Sequence, residues 1–286
     1  MNSDARTIVE VTVIGNDRKG VVADITNFIF RNNGNIEQLN QNVVRELFGM
    51  QLEASFKHVN KEDLYSGLEQ LANKLNMEVK VHFQEPDRLR NIAILVSWEP
   101  HCLIKLLEAK RKAEINGNIA VIIGSEKTLE YVAKEFRVPF YHVIHADHVV
   151  AELEILKIIE QYNIDLILLG RYMRILTPNF VWRYRNRIIN IHPSLLPAFP
   201  GAYAYVQAYE RGAKIVGCTA HFVTEDLDQG PIICQESFQV SPTDTVDTIR
   251  ERGQSLEAIT LLEAVKLYLE GRLEVNWGRV YVKDTI

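Results

Sequence analysis

The sequence is poor in cysteine and in long apolar runs. It has three cysteines in 286 residues, none in a CxxC pair, and all three lie in apolar surroundings. This sparse and odd usage predicts reduced thiols and a cytoplasmic location. No apolar stretch reaches the roughly 18 residues that a membrane-spanning helix needs, so we expect no membrane partner. The opening residues Met-Asn-Ser-Asp-Ala-Arg do not have the pattern of a signal peptide.

Low-complexity tracts and long basic blocks are absent as well. The longest Lys/Arg run is residues 110–112, on a predicted helix, where a solvated face is the simplest interpretation. With a net charge of −5, the sequence has no electrostatic footprint for a nucleic-acid partner. The composition, 47% hydrophobic and 24% charged, is ordinary for a globular protein. A chain of this length can form two domains with separate cores.

The first part of the chain shows the order strand, helix, strand, strand, helix, strand. Its helices are predicted over 21–31 and 62–75, and its strands over 8–14, 36–44, 48–56 and 77–83. The first helix stops at Asn32-Asn-Gly34, residues that tolerate a left-handed cap. This βαββαβ order predicts a ferredoxin-like domain over 1–84, an antiparallel sheet with helices on one face. A break in the pattern predicts a linker over 85–90.

Strand-like apolar runs alternate with helices over 91–286. The strands are predicted at 91–96, 119–123, 140–143, 164–169, 187–190, 232–240 and 277–282, and the helices at 101–114, 127–136, 148–162 and 245–269. This alternation predicts an α/β domain built on a doubly wound, mostly parallel sheet. Ligands bind such sheets at the carboxyl ends of the strands, which is where Asn190 and His192 fall.

Two loops broken by proline and glycine carry the residues best suited to chemistry. The first reads Asn190-Ile-His192-Pro-Ser-Leu-Leu-Pro, and the second reads Glu225-Asp-Leu-Asp228-Gln-Gly. An amide that donates to an oxyanion, a histidine that carries a proton and a carboxylate that holds the histidine or a water suit attack on an acyl carbon. Singly, these residues have plainer interpretations, as turn formers or, for His221, as a core histidine. Their combination favours catalysis.

These segments resemble the signature of the folate-dependent formyltransferase superfamily, which includes glycinamide ribonucleotide and methionyl-tRNA formyltransferases. The likeness continues through Gly217-Cys-Thr-Ala-His221-Phe-Val and covers roughly residues 90 to 280. It implies a formyltransferase-like fold, a folate substrate, no metal and no further cofactor. It also implies that Asn190 stabilises the oxyanion and that His192 is its proton-bearing partner. Asp228 would orient that histidine and position or deprotonate the nucleophile.

The resemblance implies further residues that bind the substrate. Arg174-Ile175-Leu176 resembles the segment whose backbone binds the folate pterin, since backbone polar groups beside apolar side chains suit a flat heterocycle. The loop around Asp226 would form the opposite wall of the pocket, and His221 would support the site. For Ile175 and Leu176, plain core packing is the alternative.

The loop after the first strand of this domain bears on which molecule accepts the formyl group. Glycinamide ribonucleotide formyltransferases have a Gly/Ser/Asn-rich loop there, whose amides cradle a phosphate. This sequence reads Val96-Ser-Trp98-Glu99-Pro100. Tryptophan is bulky, glutamate repels phosphate, and proline has no N–H to donate. The resemblance is therefore to the hydrolytic branch of the superfamily, which transfers the formyl group to water.

Two alternatives stay open at this point. Pro193 and Pro200 match the transferases and not the hydrolytic branch, which keeps an amine acceptor such as glycinamide ribonucleotide as one alternative. A non-catalytic folate or amino-acid sensor is the other, and the presence of Asn190, His192 and Asp228 counts against it.

The N-terminal domain resembles an ACT domain, a small regulatory module. The resemblance rests on Asp17-Arg18-Lys-Gly20-Val-Val and on Gly34-Asn-Ile. It implies that the loop opening the first helix binds an amino-acid effector through Asn16, Asp17, Arg18 and Gly20. Pairing of such domains predicts a homo-oligomer. An unrelated ferredoxin-like appendage that serves only dimerisation is the alternative.

Three histidines, His142, His145 and His148, recur at every third position. This spacing could be mistaken for a set of metal ligands. Because they straddle a predicted strand end, we interpret them as polar loop residues and predict no metal site.

Overall fold

The computed structural model describes residues 6–85, 88–201 and 203–284. Contacts between Cα atoms divide the chain into two compact units. The first comprises Met1–Arg88 with Pro178–Arg183, and the second comprises Leu89–Thr177 with Tyr184–Ile286. No helix in the described ranges is long and apolar enough to cross a membrane. Of the predicted linker 85–90, Pro86 and Asp87 lie outside the described residues.

The first unit contains a four-stranded antiparallel sheet and two long helices. Its elements follow in the order β1 (Thr7–Asn16), α1 (Val21–Arg31), β2 (Asn35–Val44), β3 (Leu47–Phe56), α2 (Lys61–Leu75) and β4 (Met77–Phe83). The strands lie side by side in the order β2-β3-β1-β4, and each neighbouring pair is antiparallel. The predicted ferredoxin-like arrangement is therefore confirmed.

One apolar core holds this sheet and its helices together. Side chains alternate across a strand, so β1 turns Val9, Val11 and Val13 to the same face, and all three are buried. Helix α1 buries Val21, Ile25 and Ile29, whose spacing of four residues defines one face of a helix. These residues join the same core cluster. The helices thus cover one face of the sheet.

The second unit is built on a seven-stranded sheet. Its strands are β5 (Arg90–Val96), β6 (Gly117–Gly124), β7 (Phe140–His142), β8 (Leu166–Gly170), β9 (Ile188–His192), β10 (Ile215–Phe222) and β11 (Ile232–Gln239), with a final hairpin of β12 (Leu273–Asn276) and β13 (Arg279–Val282). The helices from here on are α3 (His101–Arg111), α4 (Glu130–Phe136), α5 (His148–Gln161), α6 (Pro178–Arg183), α7 (Ala204–Glu210) and α8 (Val246–Leu269), of which α6 groups with the first unit.

The order of strands across this sheet is β11-β10-β9-β8-β5-β6-β7. Strands β5 to β9 run parallel, whereas β10 and β11 add to one edge in antiparallel pairings. The predicted doubly wound, mostly parallel sheet is confirmed. The chain moves outward from β5 in one direction and resumes at β8 in the other, so β5 and β8 form the topological switch point. In open sheets of this kind, ligands bind outside the carboxyl ends of the strands at such a point.

A few local elements differ from the sequence-based prediction. Strand β9 continues through His192, which pairs with Thr219, instead of ending at Asn190. Trp277 and Gly278 form the turn of the last hairpin and not part of a strand, because both have positive φ, as type I′ turns require. The sequence pattern does not predict α6 or α7, since six or seven residues are too few to show a helical period. It does not predict β10 either, because Gly217, Thr219 and His221 interrupt the apolar residues of that strand.

Candidate active site

Strands β9 and β10 place the central polar side chains beside one another. Asn190 and His192 are two residues apart on β9, so they point to the same side of the sheet. On the antiparallel neighbour β10, His221 lies directly opposite Asn190, and Thr219 lies opposite His192. The register of two strands, and not a flexible loop, therefore fixes the positions of these groups.

Hydrogen bonds define how Asn190 and His221 are arranged. Nδ1 of His221 lies 2.9 Å from the carbonyl oxygen of Phe222. A carbonyl only accepts, so Nδ1 carries the hydrogen, and Nε2 accepts from the Asn190 amide at 3.2 Å. Burial lowers the pKa of His221, although the Phe222 carbonyl and Asp228 act in the opposite direction. A neutral His221 thus orients the amide, whose second N–H can donate to an oxyanion.

His192 and Asp228 form the second polar pair of the site. Nδ1 of His192 lies 3.3 Å from Oδ2 of Asp228, and its Nε2 lies 3.0 Å from the carbonyl oxygen of Phe199. Both partners are acceptors, so a ring nitrogen that carries a hydrogen can donate to the partner it faces. Oδ2 of Asp228 also accepts from the Gly201 N–H at 2.9 Å.

The other oxygen of Asp228 faces the Asn190 and His221 pair. Oδ1 lies 3.9 Å from Nε2 of His221, a distance too long for a direct hydrogen bond. Burial would raise the pKa of Asp228, but the contacts with His192 and Gly201 outweigh it and hold that pKa below its ordinary value. The carboxylate is therefore charged at neutral pH, with one oxygen anchored and the other available to a water or a substrate.

The backbone around Asp228 is shaped by close approaches. Asp228 has a φ of 56°, in the left-handed region that aspartate tolerates better than most residues. A Cβ on Gly230 would lie only 1.7 Å from the carbonyl oxygen of Phe222, so glycine is required there. Glu225 is held by Arg185 through a contact of 3.2 Å. These features fix the loop that carries the carboxylate.

A set of hydroxyl and amide groups that sequence reasoning did not single out supports the loop after His192. Oγ1 of Thr219 donates to the Ser194 carbonyl at 2.7 Å and accepts from the Leu196 N–H at 3.0 Å. Nε2 of Gln235 donates to Thr219 Oγ1 at 2.8 Å and to the Leu196 carbonyl at 3.1 Å. Thr219 lies within the quoted motif, but only the strand register reveals this role.

The residues predicted to bind the substrate are placed in different environments. The segment 174–176 follows β8 and so lies at the carboxyl edge of the sheet, next to the end of β9. Ile175 is 63% exposed and open to a ligand, whereas Leu176 is buried in the core. Arg174 donates to the His145 carbonyl at 3.3 Å. Asp226 is exposed in the turn before Asp228, where its carbonyl accepts from Thr224.

The predicted effector residues of the first unit are exposed and lie at the end of β1 and in the loop after it. Asn16 is the last residue of β1, and the Asp17 N–H donates to the Glu46 carbonyl at 2.8 Å. Arg18 donates to the Leu75 carbonyl at 3.0 Å, so part of its guanidinium binds the end of α2. Gly20, with a φ of 93°, is the N-cap of α1 and leaves that helix start without a side-chain cap.

One group of side chains in the described ranges could hold a metal ion by distance alone. Ligand atoms of His101, Cys102 and Glu257 lie within 4.8 Å of one another. However, Glu257 already accepts from His101 at 3.0 Å and from the Tyr205 hydroxyl at 2.6 Å, and Arg171 lies 3.5 Å away. Burial also raises the pKa of Cys102 far above its ordinary value, which disfavours a thiolate ligand. The group does not fit a metal ion.

The evenly spaced His142, His145 and His148 form no such group in the part of the chain that the structure describes. His145 instead contacts Glu154, with Nε2 and Oε2 2.8 Å apart. His142 ends β7, and His148 opens α5.

Two family models match the chain, one for each part of the fold. A model described as ACT domain matches residues 7–82, and a model described as formyl transferase matches residues 90–265.

Individual relatives and solved structures resemble the chain over different lengths. A formyltetrahydrofolate deformylase from Synechocystis sp. is 39% identical over 272 residues, covering 93% of this chain and 95% of that protein. The crystal structure of a formyltetrahydrofolate deformylase from Pseudomonas syringae pv. tomato has a TM-score of 0.68 at 30% identity, covering 98% of this chain and 95% of its own. Glycinamide ribonucleotide transformylase 1 from Symbiobacterium toebii has a TM-score of 0.66 at 36% identity, but covers only 71% of this chain and 97% of its own.

Proposed function

The chain belongs to the formyltetrahydrofolate deformylases of the formyl transferase family, and we propose that it hydrolyses 10-formyltetrahydrofolate to formate and tetrahydrofolate. Both family models and the extent of the likeness to the deformylases support this reaction. The formate released would serve one-carbon and purine metabolism.

The observation that carries the mechanism is the asymmetry of the Asp228 carboxylate. One oxygen is bound by His192 and Gly201, and the other faces the Asn190 and His221 pair. A water held by the second oxygen would lie beside the amide that stabilises an oxyanion. We therefore assign Asp228 as the group that positions and deprotonates the attacking water.

The reaction then proceeds through a tetrahedral intermediate. Water adds to the formyl carbon. The formyl oxygen becomes an oxyanion, which accepts a hydrogen bond from the side-chain amide of Asn190. A preorganised donor of this kind typically lowers the barrier by about 3–4 kcal/mol. His221, held neutral, keeps the amide in position.

Collapse of the intermediate breaks the bond between the formyl carbon and N10. His192 supplies the proton that N10 takes up, and the proton removed from water returns to the histidine by way of Asp228, 3.3 Å away. The products are formate and tetrahydrofolate, with one proton released to solvent. Every step uses side chains of this chain, so we propose that neither a metal nor a cofactor takes part.

The folate would bind along the carboxyl edge of the sheet. We propose that the backbone of Arg174, Ile175 and Leu176 recognises the pterin edge, with exposed Ile175 covering its face. Asp226 would contribute to the opposite wall. The first unit would bind an amino-acid effector through residues 16–20 and pair with a second copy, giving a homo-oligomer in the cytoplasm.

Formate release in the absence of any amine tests this function. The purified protein is incubated with 10-formyltetrahydrofolate alone, and formate is measured over time. Glycinamide ribonucleotide is then added in a parallel reaction. Formate without acceptor, at a rate that the ribonucleotide does not raise, supports the hydrolase. Transfer to the ribonucleotide that greatly outpaces hydrolysis would instead favour the amine acceptor that Pro193 and Pro200 suggest.

A further inference from the structure

A buried ionic cluster lies at the switch point, outside the catalytic residues. Arg171 is the first residue after β8, and Glu99 follows β5, the strand paired with β8. Oε2 of Glu99 lies 2.8 Å from Nε of Arg171, and Oε1 lies 3.4 Å from Nη2. This two-point contact matches the way a guanidinium holds a carboxylate or a phosphate.

Groups behind Arg171 hold its guanidinium in position. Glu257 of α8 is fully buried and lies 3.5 Å from Arg171 Nε. Its carboxylate also accepts from His101 and Tyr205. The Arg171 side chain is only 16% exposed, and that of Glu99 is 22% exposed. Arg171 is thus anchored from the interior, and Glu99 covers its outer side.

The surroundings of Glu99 would otherwise favour an anion. The start of α3 lies two residues after Glu99, and helix starts attract negative charge. The crevice at the switch point of a parallel sheet is where ligands bind. The Arg171 guanidinium and the start of α3 therefore both lie beside Glu99, at the switch point where ligands bind such sheets.

We propose that Glu99 is a specificity-determining residue that keeps phosphorylated amines out of the site. Its carboxylate accepts the hydrogen bonds of the Arg171 guanidinium that a phosphate would otherwise accept. The inference rests on the proposed hydrolysis, in which water is the acceptor. A phosphate that approached Arg171 would have to displace Glu99 or lie beside its negative charge. Water carries no charge and is not excluded.

Loss of the Glu99 charge is the direct test, with inorganic phosphate as the probe. Glu99→Gln keeps the size of the side chain and a hydrogen-bond acceptor for Arg171, so we expect the fold to persist. Phosphate binding, measured by calorimetry on the full chain, should strengthen at least about tenfold in this variant, since a like charge near the anion is removed. Glu99→Asp keeps the charge and should bind phosphate as weakly as the unaltered protein.

Two further variants control for a general change in charge. Glu126 is exposed and follows β6, the next strand of the same edge, so Glu126→Gln removes the same charge without touching Arg171. It should leave phosphate binding unchanged. The double variant Glu99→Gln with Arg171→Gln should lose the affinity gained by the first substitution. If Glu99→Gln folds, as judged by its melting temperature, and binds phosphate no better than Glu126→Gln, the inference is wrong.

Formate release without acceptor, measured on the same preparations, separates this inference from the proposed function. An unaltered protein that releases no formate would refute the hydrolase, whatever the phosphate results. A protein that releases formate while Glu99→Gln gains no phosphate affinity would refute only the role of Glu99. Binding of phosphate to Glu99→Gln that raises the Michaelis constant for the folate would support a phosphate located at the proposed crevice.

Discussion

Replacement of Asp228 by asparagine isolates the charge of this side chain from its shape. Asparagine has the same size as aspartate and also tolerates the left-handed backbone, here with a φ of 56°. Its amide oxygen can still accept from the Gly201 N–H. The change therefore removes the proposed base and the carboxylate that faces His192, while leaving the loop geometry intact.

The size of the effect follows from the contacts. Oδ2 of Asp228 lies 3.3 Å from Nδ1 of His192, and Oδ1 is open toward the Asn190 and His221 pair, so the substitution affects both sides of the carboxylate. General bases typically contribute about 10²- to 10⁴-fold in rate, which corresponds to about 3–5 kcal/mol. We therefore expect Asp228→Asn to lower kcat at least about a hundredfold, with a smaller change in KM.

The assay is steady-state release of formate from 10-formyltetrahydrofolate, alongside a melting curve for each variant. Asp226→Asn is the matched control, because it removes the same charge from an exposed position two residues earlier. We expect it to change KM at most severalfold. A folded Asp228→Asn protein that retains kcat within a few-fold of the unaltered value would refute the role of this carboxylate.

Four further predictions can be checked by formate release, by denaturation and by melting curves. Asn190→Ala should lower kcat for formate release about 10²- to 10³-fold, because the proposed oxyanion donor is lost. A chelator such as EDTA, added to the unaltered protein, should leave its rate of formate release unchanged. Folding lowers the pKa of Asp228, so its ionised carboxylate stabilises the folded state. This contribution is fully present above the unfolded pKa of about 3.9 and is lost as the pH falls through the lower folded pKa. The stability difference between the unaltered protein and Asp228→Asn should therefore be constant at neutral pH and disappear in acid, which denaturation at several pH values would check. Glycine or methionine should raise the melting temperature of the full chain if the first unit binds an effector, and Arg18→Ala should reduce that shift.

The fold could be predicted from the sequence for most elements that bury an apolar pattern, with strand β10 as an exception. The alternation of Val9, Val11 and Val13, and the helical spacing of Val21 and Ile25, each reflect one face turned to one core. The short helices and the last hairpin could not be predicted in this way. Their positions depend on the backbone conformation at turns, such as the positive φ of Trp277. Apolar periodicity carries no information about that conformation.

The candidate site was predictable in its residues but not in its geometry. The motif residues Asn190, His192 and Asp228 are brought together, with His221 completing the cluster. Their assignment as catalytic groups stays a prediction. The partners that orient them are mostly backbone carbonyls, such as that of Phe199, whose identity leaves no trace in a sequence.

The proposed catalytic cluster and the pair of Glu99 and Arg171 lie at the same edge of the sheet but share no side chain. The residues proposed to attack the formyl group can therefore differ from those proposed to select the acceptor. His192 ends β9, whereas Glu99 and Arg171 lie just beyond the ends of β5 and β8. Parallel strands bring these ends to the same edge, yet the hydrogen bonds of the two clusters involve different side chains. A substitution at Glu99 can therefore alter which anions enter the crevice while the strand register that aligns the catalytic groups is kept. On this basis, we expect changes in the loop after β5 to redirect the acceptor without rebuilding the proposed catalytic site.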